Sequence, residues 1–224
     1  MDTYEPPEAS GAVGRLLDRN EIFTIGHSTH ESEGFIALLK RARIGILVDV
    51  RRHPGSRRVP WTRADRLEQF MSESSIGYLH LPELGGRRRP TKESMNTGWR
   101  NAQFQGYADH MRSPEFHAAL DQLESRAGYL PAAIMCAEAQ WWRCHRRLIS
   151  DTLVARGWRV LHIDSRGAQQ EHALTDFAVV EGDELRYPAP ADEEPGKKLR
   201  RTDANQEMHA IRESSSRSAL GVEA

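Results

Sequence analysis

Short apolar runs alternate along this chain with segments in which apolar residues recur every three or four positions. The apolar runs predict five strands, at residues 22–25, 45–50, 77–81, 132–136 and 158–163. Alternating strands and helices are typical of βαβ units, in which a helix connects two parallel strands. The pattern therefore predicts an α/β domain built around a mostly parallel sheet of about five strands.

Helices are predicted between successive strands. The first carries an apolar stripe formed by Phe35, Leu38, Leu39 and Ala42. We expect Thr62 to cap the second helix, and Ser113 with Pro114 to begin a third that ends at Gly128. A last helix is expected to end at Gly157, before the fifth strand.

The two ends of the chain differ in composition from its middle. Residues 188–224 contain few large apolar side chains that would offset the entropy cost of ordering them. We therefore predict one α/β domain over residues 21–187, between a disordered N-terminal segment, 1–20, and a disordered C-terminal tail, 188–224.

Composition narrows the class of protein. The 224 residues include 31 Lys and Arg against 32 Asp and Glu, a net charge of −1. This balance excludes a globally basic nucleic-acid binder, so any anion site must be local. The sequence has no apolar run long enough for a membrane span, no secretory signal at its start and only two cysteines. We expect a soluble, cytoplasmic protein that binds no membrane.

Polar residues and glycines follow four of the predicted strands. They are His27 and Ser28, then Asp49 and Arg51, then Glu83, Gly85 and Gly86, and finally Cys136 and Glu138. Parallel strands bring their carboxyl ends to one edge of the sheet, where ligands bind in this class of fold. The side chains expected to line one pocket there are His27, Asp49, Arg51, Glu83, Cys136, Glu138 and Arg146.

These residues belong to longer motifs. The motifs are Thr24-Ile25-Gly26-His27-Ser28, Val48-Asp49-Val50-Arg51 with Pro54, His80-Leu81-Pro82-Glu83-Leu84-Gly85-Gly86, Tyr107-Ala108-Asp109-His110-Met111, and Cys136-Ala137-Glu138 followed by Cys144-His145-Arg146-Arg147. Together they resemble the bacterial domain-of-unknown-function family 488, from about residue 23 to about residue 187. The resemblance implies a compact, three-layer Rossmann-like domain with a suspected enzymatic or nucleic-acid-linked role, and it implies no particular substrate or cofactor.

The segment with the two cysteines carries the strongest chemical signal. Cys136 ends a strand, and Cys144 and His145 lie near a helix start, where the helix dipole favours a thiolate. As a nucleophile site, Cys136 or Cys144 attacks, while His145 or His27 accepts a proton. Glu138 orients the imidazole or acts as an acid or base. We expect Cys136 to be the more reactive thiol.

The same two cysteines have three other interpretations. They can form a transient disulfide, or bind a metal together with a histidine. They can also pack in the core as small apolar side chains, without chemical function.

Two further pairs have structural alternatives. His27 and Ser28 follow Gly26 at a strand-to-helix turn, whose N–H groups can bind an anion; in the alternative, Ser28 caps the helix. Asp49 and Arg51 point to one side of their strand and either face a ligand or form a structural ion pair.

Arginines are concentrated after two of the strands. Residues 51–66 carry a net charge of +5 and residues 87–100 a net charge of +4. We call these two runs the arginine rim and expect it to bind phosphate groups. The aromatic residues nearby, which can stack on bases, are Trp61, Trp99, Tyr107, Trp141 and Trp142. In the alternative, the arginines are solvated and the tryptophans pack in the core.

Two classes of function follow. One is an enzyme with a Cys/Glu/His site that acts on a phosphate-bearing substrate, a nucleotide or a nucleic acid, without a cofactor. The other is a non-catalytic nucleic-acid-binding module, or a metal or thiol-redox protein. The further candidate binding residues are Tyr107, Cys144 and Arg146.

Overall fold

A computed structural model describes residues 20–56, 58–182 and 184–190. The two terminal segments that we predict to be disordered, 1–20 and 188–224, lie outside the described residues except for 20 and 188–190.

A six-stranded sheet forms the centre of the fold. Its strands are β1 (Glu21–Gly26), β2 (Ile46–Asp49), β3 (Gly77–His80), β4 (Ala132–Cys136), β5 (Arg159–Ile163) and β6 (Gln169–Glu171), in the order β3-β2-β4-β1-β5-β6. The first five strands are parallel, and β6 pairs antiparallel with β5. A separate hairpin contains β7 (Val179–Glu181) and β8 (Glu184–Arg186). The five predicted strands and the mostly parallel sheet are confirmed.

Helices cover both faces of the sheet. They are α1 (Ser32–Arg41), α2 (Ala64–Glu73), α3 (Ala102–His110), α4 (Pro114–Ala127) and α5 (Arg146–Ala155). Apolar residues of α1 and α2 form one buried cluster with one face of the sheet. Residues of α3, α4 and α5 form another with the opposite face, so the three-layer Rossmann-like fold is confirmed. No helix in the described parts of the chain is long and apolar enough to cross a membrane.

Two predicted helix starts have different outcomes. The Ser113 hydroxyl accepts the Phe116 N–H at the start of α4, as predicted for a cap. Thr62 as the cap of α2 is wrong, because the residue before that helix is Arg63. The Thr62 hydroxyl instead donates to Val59 O at 2.8 Å, within a short 3₁₀ turn, Pro60–Thr62.

The strand order brings three carboxyl ends together. Strand β4 lies between β1 and β2, so Gly26 is paired with Cys136 and Asp49 with Met135. The ladder continues into the loop, since the His27 N–H donates to Cys136 O at 2.9 Å. The loops after these three strands therefore surround one site at the edge of the sheet.

Candidate functional site

A cleft of about 320 Å³ opens at this edge of the sheet. The predicted site residues that line it are His27, Arg51, Gly86, Tyr107, Cys136, Glu138, Cys144 and His145. They come from the loops after β1, β2 and β4, from the segment after β3, from α3 and from the start of α5. Residues that are far apart in sequence thus meet at the carboxyl edge of the sheet, where their positions after the strands predict them.

Some of the predicted residues lie near the cleft without lining it. Asp49 is completely buried behind Arg51, and Arg146 is buried behind the loop that contains Glu138. The Glu83 side chain is exposed, while its carbonyl oxygen accepts the His110 Nε2–H at 2.7 Å. The expectation that Asp49, Glu83 and Arg146 line the pocket is therefore wrong.

Two other predicted binding residues have structural contacts of their own. The Ser28 N–H donates to Ala137 O at 3.1 Å, so that N–H is not free for an anion. Gly85 is buried, and a side-chain carbon there would come within 2.8 Å of the Arg52 backbone. Ser28 and Gly85 lie next to residues that line the cleft but do not line it themselves.

The two cysteines form the floor of the cleft. Cys136 ends β4, and Cys144 precedes α5 by two residues. The loop between β4 and α5 therefore begins and ends at the two cysteines. Their Sγ atoms are 2.9 Å apart, and both thiols are free. The Glu138 N–H also donates to Cys136 Sγ at 3.3 Å. These contacts make a hydrogen-bonded thiol pair at the base of the cleft.

The two thiols have opposite acid–base character. Burial raises the pKa of Cys136 well above its usual value, and its hydrogen bond to Cys144 raises it further. Burial also acts to raise the pKa of Cys144, but the hydrogen bond from Cys136 and the Arg146 charge outweigh it and lower this pKa to about 7. Cys144, rather than the Cys136 that we expected, is therefore the more acidic thiol.

His145 lies beside the acidic thiol. Its Nε2–H donates to Val50 O at 3.4 Å, which leaves Nδ1 as an acceptor 3.3 Å from Cys144 Sγ. Burial lowers the pKa of His145, so the neutral ring is favoured. This geometry suits a group that accepts the Cys144 proton.

Asp49 and Arg51 form a structural ion pair. Arg51 Nη2 donates to Asp49 Oδ2 at 2.6 Å, and Nε donates to Asp49 Oδ1 at 2.8 Å. The Tyr78 hydroxyl donates to the same carboxylate at 3.0 Å. Both members of the pair are buried, and the contacts hold the guanidinium of Arg51 in the wall of the cleft.

His27 is held between a carbonyl and this arginine. Its Nδ1–H donates to Ser28 O at 3.0 Å, so Nε2 accepts from Arg51 Nη1 at 3.3 Å. Burial and the Arg51 charge lower the pKa of His27 to about 4. Since the acceptor nitrogen of the neutral ring already faces Arg51, the geometry favours His145 over His27 as the proton acceptor.

The mouth of the cleft is positively charged. Its cationic side chains are Arg51, Arg52, Arg87 and Arg143, with His53 beside them, and Glu138 is the one carboxylate among the described lining residues. Arg143, from the loop between the cysteines, lies outside the two predicted arginine runs. Much of those runs serves other contacts, such as Arg63 with Asp65 and Arg88 with two carbonyl oxygens.

Most of the aromatic residues proposed for base stacking are buried. Trp61 packs against Phe35 and Phe70, and Trp99 packs against Phe104 and Tyr187. Trp141 stacks on His162, whereas 45% of Trp142 is exposed. The alternative in which the tryptophans pack in the core therefore holds for Trp61 and Trp99.

Comparison with known families bears on the whole site. The family model described as "Domain of unknown function DUF488" matches residues 31–153, more than half of the chain. The chain belongs to the DUF488 family. No curated protein and no solved structure matches the chain. The stretch matched to DUF488 contains both cysteines, Glu138 and Arg146, but His27 precedes it.

Sequence reasoning missed several residues of this DUF488 cleft. His53, Ser56, Gln103, Phe104 and Arg143 all line it. Gln103 and Phe104 belong to α3, a helix whose apolar residues do not follow a clear stripe. The position of Arg143 in the sequence, between the two candidate thiols, could have identified it as a residue of the site.

Metal binding by the thiols finds no support in the geometry. Among residues 20–56, 58–182 and 184–190, no group of three or more His, Cys, Asp or Glu side chains is arranged to hold a metal ion.

Proposed function

We propose that this DUF488 protein is a thiol-dependent enzyme that acts on a phosphate-bearing substrate, with Cys144 as the nucleophile. The observation that carries the proposal is the Cys144 thiol at the floor of a cationic cleft, with its pKa lowered to about 7. A thiol of ordinary pKa is mostly protonated near neutral pH, while this one is about half ionised. A thiolate that lines a cleft is a strong nucleophile toward a substrate bound there.

The surrounding residues have separate roles in this scheme. His145 Nδ1 accepts the Cys144 proton, and the Cys136 S–H donates to the resulting thiolate. The Cys144 sulfur forms a bond to an electrophilic centre of the substrate, and the bond from that centre to its leaving group breaks. The leaving group departs with the electron pair and takes the proton that His145 accepted, directly or through a water molecule.

The cationic walls define the class of substrate. Arg52, Arg87 and Arg143 surround the mouth above the thiolate, and guanidinium groups bind phosphate oxygens in pairs of hydrogen bonds. The nearby Arg51 is fixed by its carboxylate partner and contributes a rigid donor to the wall. Such a site favours an anionic substrate and lowers the energy of negative charge that develops near the sulfur.

Protection of Cys144 from alkylation tests the proposal. Iodoacetamide should alkylate Cys144 rapidly near neutral pH, and inorganic phosphate or adenosine 5′-monophosphate should slow the reaction at constant ionic strength. A single-stranded oligonucleotide as a third competitor distinguishes a small substrate from nucleic acid. Cleavage of the labelled chain after Arg143 places the two cysteines on separate peptides, so mass spectrometry measures each rate.

Variants locate the bound anion. Arg52→Ala, which keeps the cleavage site after Arg143, should lose most of the protection, whereas Arg126→Ala, which changes an exposed arginine on α4, should keep it. Rapid alkylation without protection by any of the three anions would remove the phosphate-bearing substrate from the proposal. Slow alkylation of Cys144 would remove its role as nucleophile.

The distance between the two sulfurs favours thiol-redox chemistry as a second candidate function. A disulfide bond is about 2.05 Å long, so the pair, at 2.9 Å, needs little movement to close. With a peroxide, the Cys144 thiolate takes one oxygen atom, the O–O bond breaks, and Cys144 becomes a sulfenic acid. The Cys136 thiol then attacks that sulfur, and water leaves as the disulfide forms.

Peroxide treatment distinguishes the two functions. A redox pair should lose two hydrogen atoms per chain, seen as an intact mass shift that dithiothreitol reverses. Cys136→Ser should stop at the sulfenic acid, which dimedone traps. Reaction no faster than that of free cysteine would reject the redox function and leave the phosphate-directed one in place.

A further inference from the structure

A chain of buried polar side chains extends from Thr24, which contacts Arg146 beside the thiols, to Tyr187. Its members, which we call the buried relay, are Thr24, His162, His172, Asp151 and Tyr187. All are at most 5% exposed. Thr24 and His162 are direct partners on β1 and β5, so the strand register itself places the first two members together.

Arg146 connects the relay to the thiols. Its Nη1 donates to Thr24 Oγ1 at 3.3 Å, and its Nη2 donates to the carbonyl oxygens of Glu138 and Ala139. The Arg146 charge acts on both sulfurs and is among the causes that lower the pKa of Cys144. The position of this buried guanidinium therefore affects the thiol directly.

The carboxylate at the far end of the relay orients the hydrogen bonds. Asp151 only accepts, so His172 Nε2–H donates to it at 2.8 Å, and Asp151 also accepts from the Thr175 N–H and the Tyr187 hydroxyl. In its neutral form, His172 then has only Nδ1 left, as an acceptor for His162 Nε2–H at 2.9 Å.

From His162 to Arg146, the hydrogen bonds of the relay keep the order that Asp151 imposes on them. Burial is the largest of the causes that lower the pKa of His162 to about 2, so its ring is neutral, and because its Nε2–H donates to His172, its Nδ1 is an acceptor. The Thr24 hydroxyl therefore donates to His162 at 2.7 Å and turns its lone pairs toward Arg146. Trp141, in the loop between the cysteines, stacks on His162 at 4.0 Å and covers the relay on that side.

We propose that the buried relay is a positioning device that holds the Arg146 guanidinium against the two thiols and so sets the reactivity of Cys144. This inference rests on the proposed function, because it concerns the same thiolate. Without the Thr24 acceptor, Arg146 keeps its two carbonyl contacts through Nη2 but loses the hydroxyl that holds Nη1, so the guanidinium can turn relative to the sulfurs. The relay residues act through Arg146 and do not touch the cleft.

Thr24→Val is the variant that tests the inference, because it replaces the hydroxyl with a methyl group of similar size. The acidity of Cys144 should fall, and its alkylation rate below the pKa should drop about three- to tenfold, a shift of about half to one pKa unit. The other groups that face Cys144 are Cys136, His145 and Tyr107, and the substitution leaves them in place.

Two control variants separate positioning from stability. Thr24→Ser keeps the hydroxyl and should restore the wild-type pH profile. Thr152→Val removes another buried hydroxyl, which donates to Leu148 O within α5, and should lower stability without changing the profile. Thermal unfolding by circular dichroism compares the stability of all three variants.

The outcomes distinguish this inference from the proposed function. An acidic Cys144 in the wild type that stays equally acidic in Thr24→Val overturns the relay as a positioning device and leaves the nucleophile intact. An ordinary pKa for Cys144 in the wild type overturns both. If Thr24→Val does not fold, His162→Gln, which changes the next member, is measured in the same way and must show the same shift.

Discussion

Cys144 and Cys136 differ in pKa because the contact between them, together with the Arg146 charge, stabilises a thiolate on Cys144, while burial keeps Cys136 protonated. The thiol of Cys136 donates to Cys144, which stabilises a thiolate on Cys144 and keeps the proton on Cys136. The sequence shows two cysteines eight positions apart, and that spacing does not reveal which of them donates. The assignment needs Arg146, whose buried charge lies beyond what motif reading can place.

Cys136→Ala removes the donor and should raise the pKa of Cys144 by about one unit, since a hydrogen bond to a charged group contributes about 1.5–3 kcal/mol and water replaces part of it. The pH profile of Cys144 alkylation measures the change. Cys136→Ser keeps a hydroxyl donor at the same position and should retain an acidic Cys144. Equal profiles for the two variants would mean that the donor has no role.

The loops after β1 and β4 are packed too closely for a side chain at the end of β1. A carbon added at Gly26 would lie 1.9 Å from Glu138 O, an oxygen that also accepts from Arg146. Gly86 on the opposite wall is similar, since an added carbon would lie 2.8 Å from His145 Nδ1. Both glycines bring backbone close to the groups that surround the thiols.

Gly26→Ala should therefore destabilise the fold by about 1–3 kcal/mol, the usual cost of overpacking. Chemical denaturation gives the free energy of unfolding. Gly34→Ala is the control, because Gly34 lies in α1 with open space around it, and alanine there should stabilise the helix by about 0.5–1 kcal/mol. A Gly26→Ala protein as stable as the wild type would contradict the close approach.

Strands and helices with a regular pattern were predictable, and elements defined by distant contacts were not. Strand β4 is a run of apolar residues buried on both faces, and α1 has a clear apolar stripe. The short strands β6 to β8 are largely exposed, so no apolar pattern marks them. His162 and His172 meet only because β5 pairs with both β1 and β6, which sequence spacing does not show.

The candidate site was predictable as an edge of the sheet and less so as a set of side chains. Placement after parallel strands located His27, Cys136 and Glu138 at one cleft. The same rule also selected Asp49, which is buried behind Arg51 and does not line the cleft. Which side of an edge a polar residue faces depends on the packing of its neighbours, and that information comes only from the structure.

Buried neutral histidines link the stability of the protein to pH. Burial lowers the pKa of His27 to about 4 and that of His162 to about 2, against 6.5 for an ordinary imidazole. The unfolded chain binds protons at these two positions below pH 6.5, while the folded chain does not. The free energy of unfolding should therefore fall as the pH decreases, by about 1.4 kcal/mol per pH unit for each histidine.

Urea unfolding at several values between about pH 6.5 and pH 5.5 measures this slope, in a window above the range where ordinary carboxylates mainly titrate. His27→Gln should reduce the slope by the contribution of one histidine, about 1.4 kcal/mol per pH unit. Gln103→Asn, which changes another residue of the cleft that has no titratable group, should leave it unchanged. A flat dependence on pH in the wild type would show that the two rings are not held neutral.

The protein is near neutral in total charge, yet its cleft combines arginines with an acidic thiol. The pH dependence of iodoacetamide alkylation, followed separately for the two cysteines in the folded protein, tests this combination. We predict that the rate at Cys144 rises with a midpoint at about pH 7, while Cys136 stays unreactive through that range. A midpoint for Cys144 at or above that of an ordinary thiol, about 8.5, or faster labelling of Cys136, would contradict the account.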